Sequence, residues 1–128
     1  MRVLEAGDWG LLLPEEWQAE QEDDVIIIGD RDGVGCIEIS ELHKEAGDFH
    51  AQDLGEFVTD VSAWESVRCG SFQGIGASLI EEGAAIREWY LYAGTLLLYV
   101  TYSCDLDNQG LDDAAVDEIL ETLRMAVE

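Results

Sequence analysis

The sequence has one proline, one lysine, and 6 basic residues in all against 29 acidic ones. So small a supply of Lys and Arg excludes the functions that depend on them most. Nucleic-acid binding works by basic side chains displacing the counterions of a polyphosphate, so a chain of formal net charge -23 is not expected to bind it. An anionic membrane surface is disfavoured for the same reason. No run approaches the roughly 20 apolar residues of a membrane-spanning helix. The opening residues, Met1 to Asp8, carry acids where a secretory leader needs an apolar stretch, so the expected location is the cytoplasm. Cys36, Cys69 and Cys104 form an odd set without Cys-x-x-Cys spacing, which suits buried thiols in a reducing compartment.

What is present is apolar content: 48% of 128 residues, enough for one domain spanning 1–128 that buries roughly two thirds of the surface its unfolded chain exposes. The acids are unevenly spread. Residues 1–65 hold 18 of them, residues 66–104 hold 3 and residues 105–128 hold 8. The middle stretch therefore reads as interior sheet and the flanks as a charged exterior. Plain solubility, a surface complementary to a basic partner, and adaptation to a salty habitat all fit that exterior.

The interior stretch reads as one hairpin. Ala85–Tyr92 and Thr95–Ser103 are dense in aromatic and β-branched residues, and Ala93-Gly94 supplies a tight connection whose glycine reaches positive φ freely. In its second arm Leu96, Leu98, Val100 and Tyr102 alternate with Leu97, Tyr99, Thr101 and Ser103, so both faces are expected to be covered. Upstream, Trp9–Pro14, Val25–Gly29 and Val34–Leu42 read as strands, with Glu20–Asp24 as an acidic link and Asp30–Gly33 as a turn. Leu54, Phe57, Val58, Val61 and Trp64 fall at helical spacing, predicting an amphipathic helix over 51–67. Arg68–Gly74 and Ala77–Glu82 read as two strands separated by Gly74-Ile75-Gly76. Asp112–Val127 reads as a closing helix with its apolar stripe at Val116, Ile119, Leu120, Leu123 and Val127. The fold class is α+β: a mainly antiparallel sheet of about six strands flanked by two principal helices.

Motifs that would carry chemistry are missing or incomplete. Asp105, Asp107, Gly110 and Asp113 fit positions of a calcium loop, but Gln109 and Val116 stand where an acid and a bidentate Glu belong. His43 and His50, with Glu41, Glu45 and Asp48 nearby, lack tight zinc-ligand spacing and read as surface histidines. No serine sits in a Gly-x-Ser-x-Gly setting, and Gly74-Ile75-Gly76 is no dinucleotide fingerprint. Neither catalysis nor a cofactor is expected. Four tryptophans and four tyrosines suit core packing, but Trp17, which follows Pro14 on an acidic segment, is the candidate anchor of a surface that grips a basic protein. Glu15, Glu16, Asp23 and Asp24 would steer that partner.

The order of elements resembles the PsbP-like fold family. The resemblance rests on Gly10-Leu-Leu-Leu-Pro14-Glu-Glu-Trp17, the segment carrying Phe57, the hairpin Glu88-Trp89-Tyr90 to Thr101, and the closing helix Val116 to Leu123. It implies an α/β/α sandwich and, from members that include extrinsic photosystem subunits, a Ran-binding transport factor and type VI effector chaperones, binding to other macromolecules without chemistry of its own. No site residue is implied by it. The leading expectation is a non-catalytic protein-binding module, such as an effector chaperone or an immunity protein for a basic partner. The alternative is a small-molecule or calcium binder using a cleft beside the sheet or the 105–113 loop.

Overall fold

The central hairpin is longer than its apolar residues alone require, and the rest of the sheet is built outward from it. A computed structural model describes residues 2–125. In chain order the strands are β1 (Arg2–Glu5), β2 (Trp9–Leu13), β3 (Trp17–Glu22), β4 (Val25–Asp30), β5 (Gly35–His43), β6 (Glu65–Cys69), β7 (Phe72–Glu81), β8 (Ala84–Ala93), β9 (Leu96–Asp105) and β10 (Arg124–Met125), with one α-helix, α1 (Asp113–Glu121). Seven strands form one sheet in the order β3-β4-β5-β9-β8-β7-β6, every pair antiparallel. A smaller sheet, β1-β2-β10, lies apart from it.

Ala93 pairs with Leu96, so the hairpin turns on Gly94-Thr95 rather than on Ala93-Gly94, and Gly94 takes the positive φ of 57°. The alternation along β9 holds. Leu96, Leu98, Val100 and Tyr102 enter the larger core with Ile26, Ile28, Ile37 and Ile39 from β4 and β5. Trp9, Leu11 and Leu13 of β2 and Val116, Ile119 and Leu120 of α1 close over that inner face. Leu97 points the other way, into a second cluster with Phe49, Leu54, Ile75 and Tyr92.

Several expectations change. The large sheet has seven strands, not six, and the described residues hold one α-helix, not two. Residues 51–67 form two short 3-10 turns, Ala51–Glu56 and Val61–Ala63, followed by the start of β6. The carboxylate of Asp53 accepts from the backbone N–H of His50 at 2.8 Å, and that of Asp60 accepts from Ser62 at 3.1 Å. Such local bonds compete with a helical ladder, and Gly55 weakens it further. Leu54, Phe57, Val58 and Trp64 still pack on the sheet, so the stripe reported burial correctly and period wrongly.

The acidic link is half strand. Residues 17–22 are β3, the polar edge of the large sheet, and only Asp23-Asp24 turn, with Asp23 at φ 52°. Gly74 and Gly76 do not separate a pair of strands but lie inside β7, because the backbone of β8 comes close there. A Cβ at Gly74 would stand 1.8 Å from the carbonyl oxygen of Tyr90. The closing helix ends at Glu121. Thr122 Oγ1 donates to the Ile119 carbonyl at 2.6 Å and accepts from the Leu12 N–H at 2.8 Å, and Arg124 and Met125 then pair with Gly10 and Trp9. Val127 lies outside the described residues.

Candidate functional site

The residues singled out from the sequence do not converge. Trp17 is only 4% exposed and belongs to the core, so it cannot anchor a partner. Its position at the start of β3 turns the indole inward with Ala19, while Gln18, Glu20 and Glu22 turn outward. Glu15 and Glu16 are exposed in the turn before β3, and Asp23 and Asp24 in the turn after it. Strand geometry holds the two pairs about 20 Å apart. Asp105, the last residue of β9, and Asp107, in the 3-10 turn after it, are exposed, whereas Asp113 faces Arg87 Nη1 at 3.5 Å. Among the described residues no three acid, His or Cys side chains group as metal ligands. His43 and His50 also lie in different settings: His43 Nε2 lies 3.4 Å from Glu41 and 3.7 Å from Asp8, while His50 caps the 51–56 turn.

A cleft opens on the outer face of the large sheet. Both faces were expected to be covered, but segment 49–64 shields this one incompletely, over Ile75, Tyr92 and Leu97. Beyond its edge the cleft, of about 240 Å³, is lined by Ser40, Glu41, Leu42, Phe57, Tyr90, Leu97 and Tyr99. Strand register explains the set. Ser40, Tyr99, Tyr90 and Ile75 stand directly opposite one another on β5, β9, β8 and β7. The rings form a run: Tyr90 lies 4.7 Å from Tyr99, 5.5 Å from Phe57 and 5.6 Å from Trp64 between centroids. Leu42 is 46% exposed at the open end.

One pleat along, the row changes character. Glu38, Thr101 and Glu88 stand opposite one another on β5, β9 and β8, so two carboxylates flank a threonine beside the aromatic row. Two strand spacings put their backbones about 10 Å apart. The Tyr99 hydroxyl donates to the Glu88 carboxylate. Burial foremost, then that bond and the neighbouring charges, Glu38 among them, push Tyr99 above the ordinary phenol range. Burial and then Glu88 push Tyr90 up as well. Both phenols are thus neutral at physiological pH. Aromatic faces beside carboxylates attract cations. The lining includes Ser40 but no histidine or cysteine, so no nucleophile and base meet there.

The strand identities of Tyr90 and Tyr99 were legible from the sequence, and so was the face they share. Their accessibility was not, because it depends on how far segment 49–64 reaches across the sheet. Two other grooves lie on the inner side. One, of about 390 Å³, runs past Gln21, Asp24, Glu41 and His43; the other, of about 270 Å³, passes Arg87 and Trp89.

No protein-family model matches the chain, and no curated protein is similar to it in sequence. Solved structures are similar in shape. A crystal structure from Bacteroides thetaiotaomicron VPI-5482 is 16% identical with a TM-score of 0.70, over 94% of this chain and 46% of that one. The chain thus spans less than half the length of that protein. LpqN of Mycobacterium tuberculosis, described as involved in cell envelope biogenesis, is 14% identical with a TM-score of 0.60, over 98% of this chain and 90% of its own. The solution structure of cyanobacterial PsbP (CyanoP) from Synechocystis sp. PCC 6803 is 12% identical with a TM-score of 0.48, over 93% and 87%. At these identities the first two structures establish shared fold and nothing finer.

Proposed function

We propose that the protein is a non-catalytic binding module that holds a basic protein segment against the outer face of its large sheet. The observation that carries this reading is the composition of that face. On β3, β4, β5, β8 and β9 the outward positions include Glu20, Glu22, Glu38 and Glu88, together with Val25, Ile27, Tyr90 and Tyr99, and no Lys or Arg; Arg68 stands outward only at the far edge, on β6. Apolar contact area flanked by one sign of charge is what a partner of opposite sign requires: rings and branched side chains supply burial, and carboxylates supply steering and register. The similar folds are compatible with a module of this kind.

An effector chaperone and an immunity protein are two forms such a module takes, and both need tight recognition without turnover. Three free cysteines, two of them buried, support placing it in a reducing compartment. The experiment is fluorescence anisotropy with a labelled peptide of alternating arginine and serine. Affinity should fall as salt rises and drop about tenfold or more when Glu20, Glu22 and Glu38 are each changed to Lys. Equal affinity for the wild type and that variant, with both folded, would overturn the reading.

A further inference from the structure

We infer that the cleft over Tyr99 is a pocket for an arginine side chain of the bound segment, its guanidinium lying on the Tyr99 and Tyr90 rings with Glu38 as its carboxylate partner. This rests on the binding module proposed above and names the chemistry its outer face recognises.

Among the described residues a cation lies on a ring with carboxylates beside it at two places. In the first, Arg87 lies 4.6 Å from the Trp89 ring and reaches Asp117 at 2.7 Å and Asp113 at 3.5 Å. In the second, Lys44 lies 5.3 Å from the Phe49 ring and pairs with Asp53 at 2.9 Å. At both, the cation comes from the chain itself. Tyr99 and Tyr90 with Glu88 and Glu38 form a partly open set of the same kind without one: none of the basic side chains of the described residues stands on that area of the outer face. The missing member is a positive charge, and it has to come from outside.

Geometry selects the kind of cation. Tyr90 and Tyr99 are inclined by 31° at 4.7 Å and Phe57 and Tyr90 by 23° at 5.5 Å, so the rings pack on one another as a continuous run of gently inclined planes rather than a cage. A flat, weakly hydrated guanidinium stacks on such planes, whereas a compact ammonium gains less from them. The Tyr99 hydroxyl donates to Glu88, which leaves the ring richer in electron density and a better seat for a cation. Glu38 is exposed one pleat from the Tyr99 row and makes no ion pair within the described residues, so its carboxylate is free to take the fork of a guanidinium. Leu42 and Leu97 line the cleft where the aliphatic stem of the side chain would lie.

The test titrates the intact protein, labelled with nitrogen-15, with N-acetyl-arginine amide, with the matching lysine derivative, and with the citrulline derivative, which has nearly the shape of arginine and no charge. The expected result is saturable amide shifts confined to Ser40, Leu42, Tyr90, Tyr99 and Thr101 for arginine, several-fold weaker binding for lysine, and no saturable shift for citrulline. Glu38→Gln and Tyr99→Leu should each weaken the arginine response; Glu38→Gln, at an exposed position, keeps the test usable if Tyr99→Leu does not fold. Equal responses to arginine and citrulline, or to arginine and lysine, would overturn the assignment. The arginine–serine peptide separates the pocket from the wider face. If it binds the wild type and both variants equally while the cleft amides stay still, the pocket is wrong and the outer-face reading stands. If it does not bind at all, the outer-face reading fails with it.

Discussion

The Tyr102 hydroxyl donates to Asp112 Oδ2 at 2.6 Å, and both residues are buried. The bond ties the centre of the large sheet to the start of α1, where the Asp112 carbonyl accepts the first helical bond from Val116 at 2.8 Å. Removing the hydroxyl strands a carboxylate with little water to replace it. Tyr102→Phe should therefore destabilise the protein by about 1–3 kcal/mol, read from urea midpoints. Because both side chains belong to one bond, Tyr102→Phe with Asp112→Ala should cost less than the two single changes added together. Strict additivity would mean that the bond does not contribute to stability.

Gly74 marks where backbone alone fits. A Cβ there would lie 1.8 Å from the Tyr90 carbonyl oxygen and 2.9 Å from its carbon, and neither atom can yield without breaking the β7–β8 ladder. Gly74→Ala should cost about 3 kcal/mol or more, at the upper end of overpacking effects. Gly29→Ala is the control, since its nearest neighbour would be an ordinary 3.8 Å away at an unstrained φ. Equal midpoints for the two variants would mean that the strands separate without penalty.

These positions show what the sequence discloses and what it withholds. β5 was legible by its period-two alternation, with Ile37 and Ile39 on the core face, and β4 and β9 by their dense apolar and β-branched runs, so burial writes itself into the residue order. β3 was not legible, because an edge strand turns Gln18, Glu20 and Glu22 to water and has only Trp17 and Ala19 to mark its inner face. Segment 51–67 imitated a helix because an irregular chain laid on apolar strands must also place apolar side chains every three or four residues. The aromatic row of the cleft was present in the hairpin sequence. Its carboxylate neighbour Glu38 was not, since only the β5–β9 register brings Glu38 beside Thr101.

Alkaline pH should weaken the fold. Burial, and after it the charges of Asp117 and Glu121, raises the Cys69 thiol from 9.0 to about 11. Between those values the folded state holds a proton that the unfolded state has released. The contribution to stability is therefore complete below about 9 and is lost as pH rises through about 11. Tyr99 and Tyr102, both raised, extend the loss further into alkali. The urea midpoint should fall between pH about 8 and about 10.5, and Cys69→Ala should flatten that slope. An equally steep slope in the variant would assign the loss to the tyrosines alone.

Acid removal should separate the two ends of β3 from the face between them. Glu15 and Glu16 lie before the strand and Asp23 and Asp24 after it, so a segment seated over Glu38 and Tyr99 meets them only at long range. At moderate salt the Debye length is about 8 Å, which screens charges at that separation while leaving contacts inside a cleft nearly intact. Neutralising Glu15, Glu16, Asp23 and Asp24 together should therefore slow association with the arginine–serine peptide at low salt and change affinity less than about threefold at physiological salt. Neutralising Glu38 alone should raise the dissociation rate at both salts, because its partner would be left unpaired against the rings. Stopped-flow anisotropy reads both rates. A large loss of affinity from the four end residues at physiological salt, with none from Glu38, would move the docking surface from the outer face to the tips of the β3–β4 hairpin.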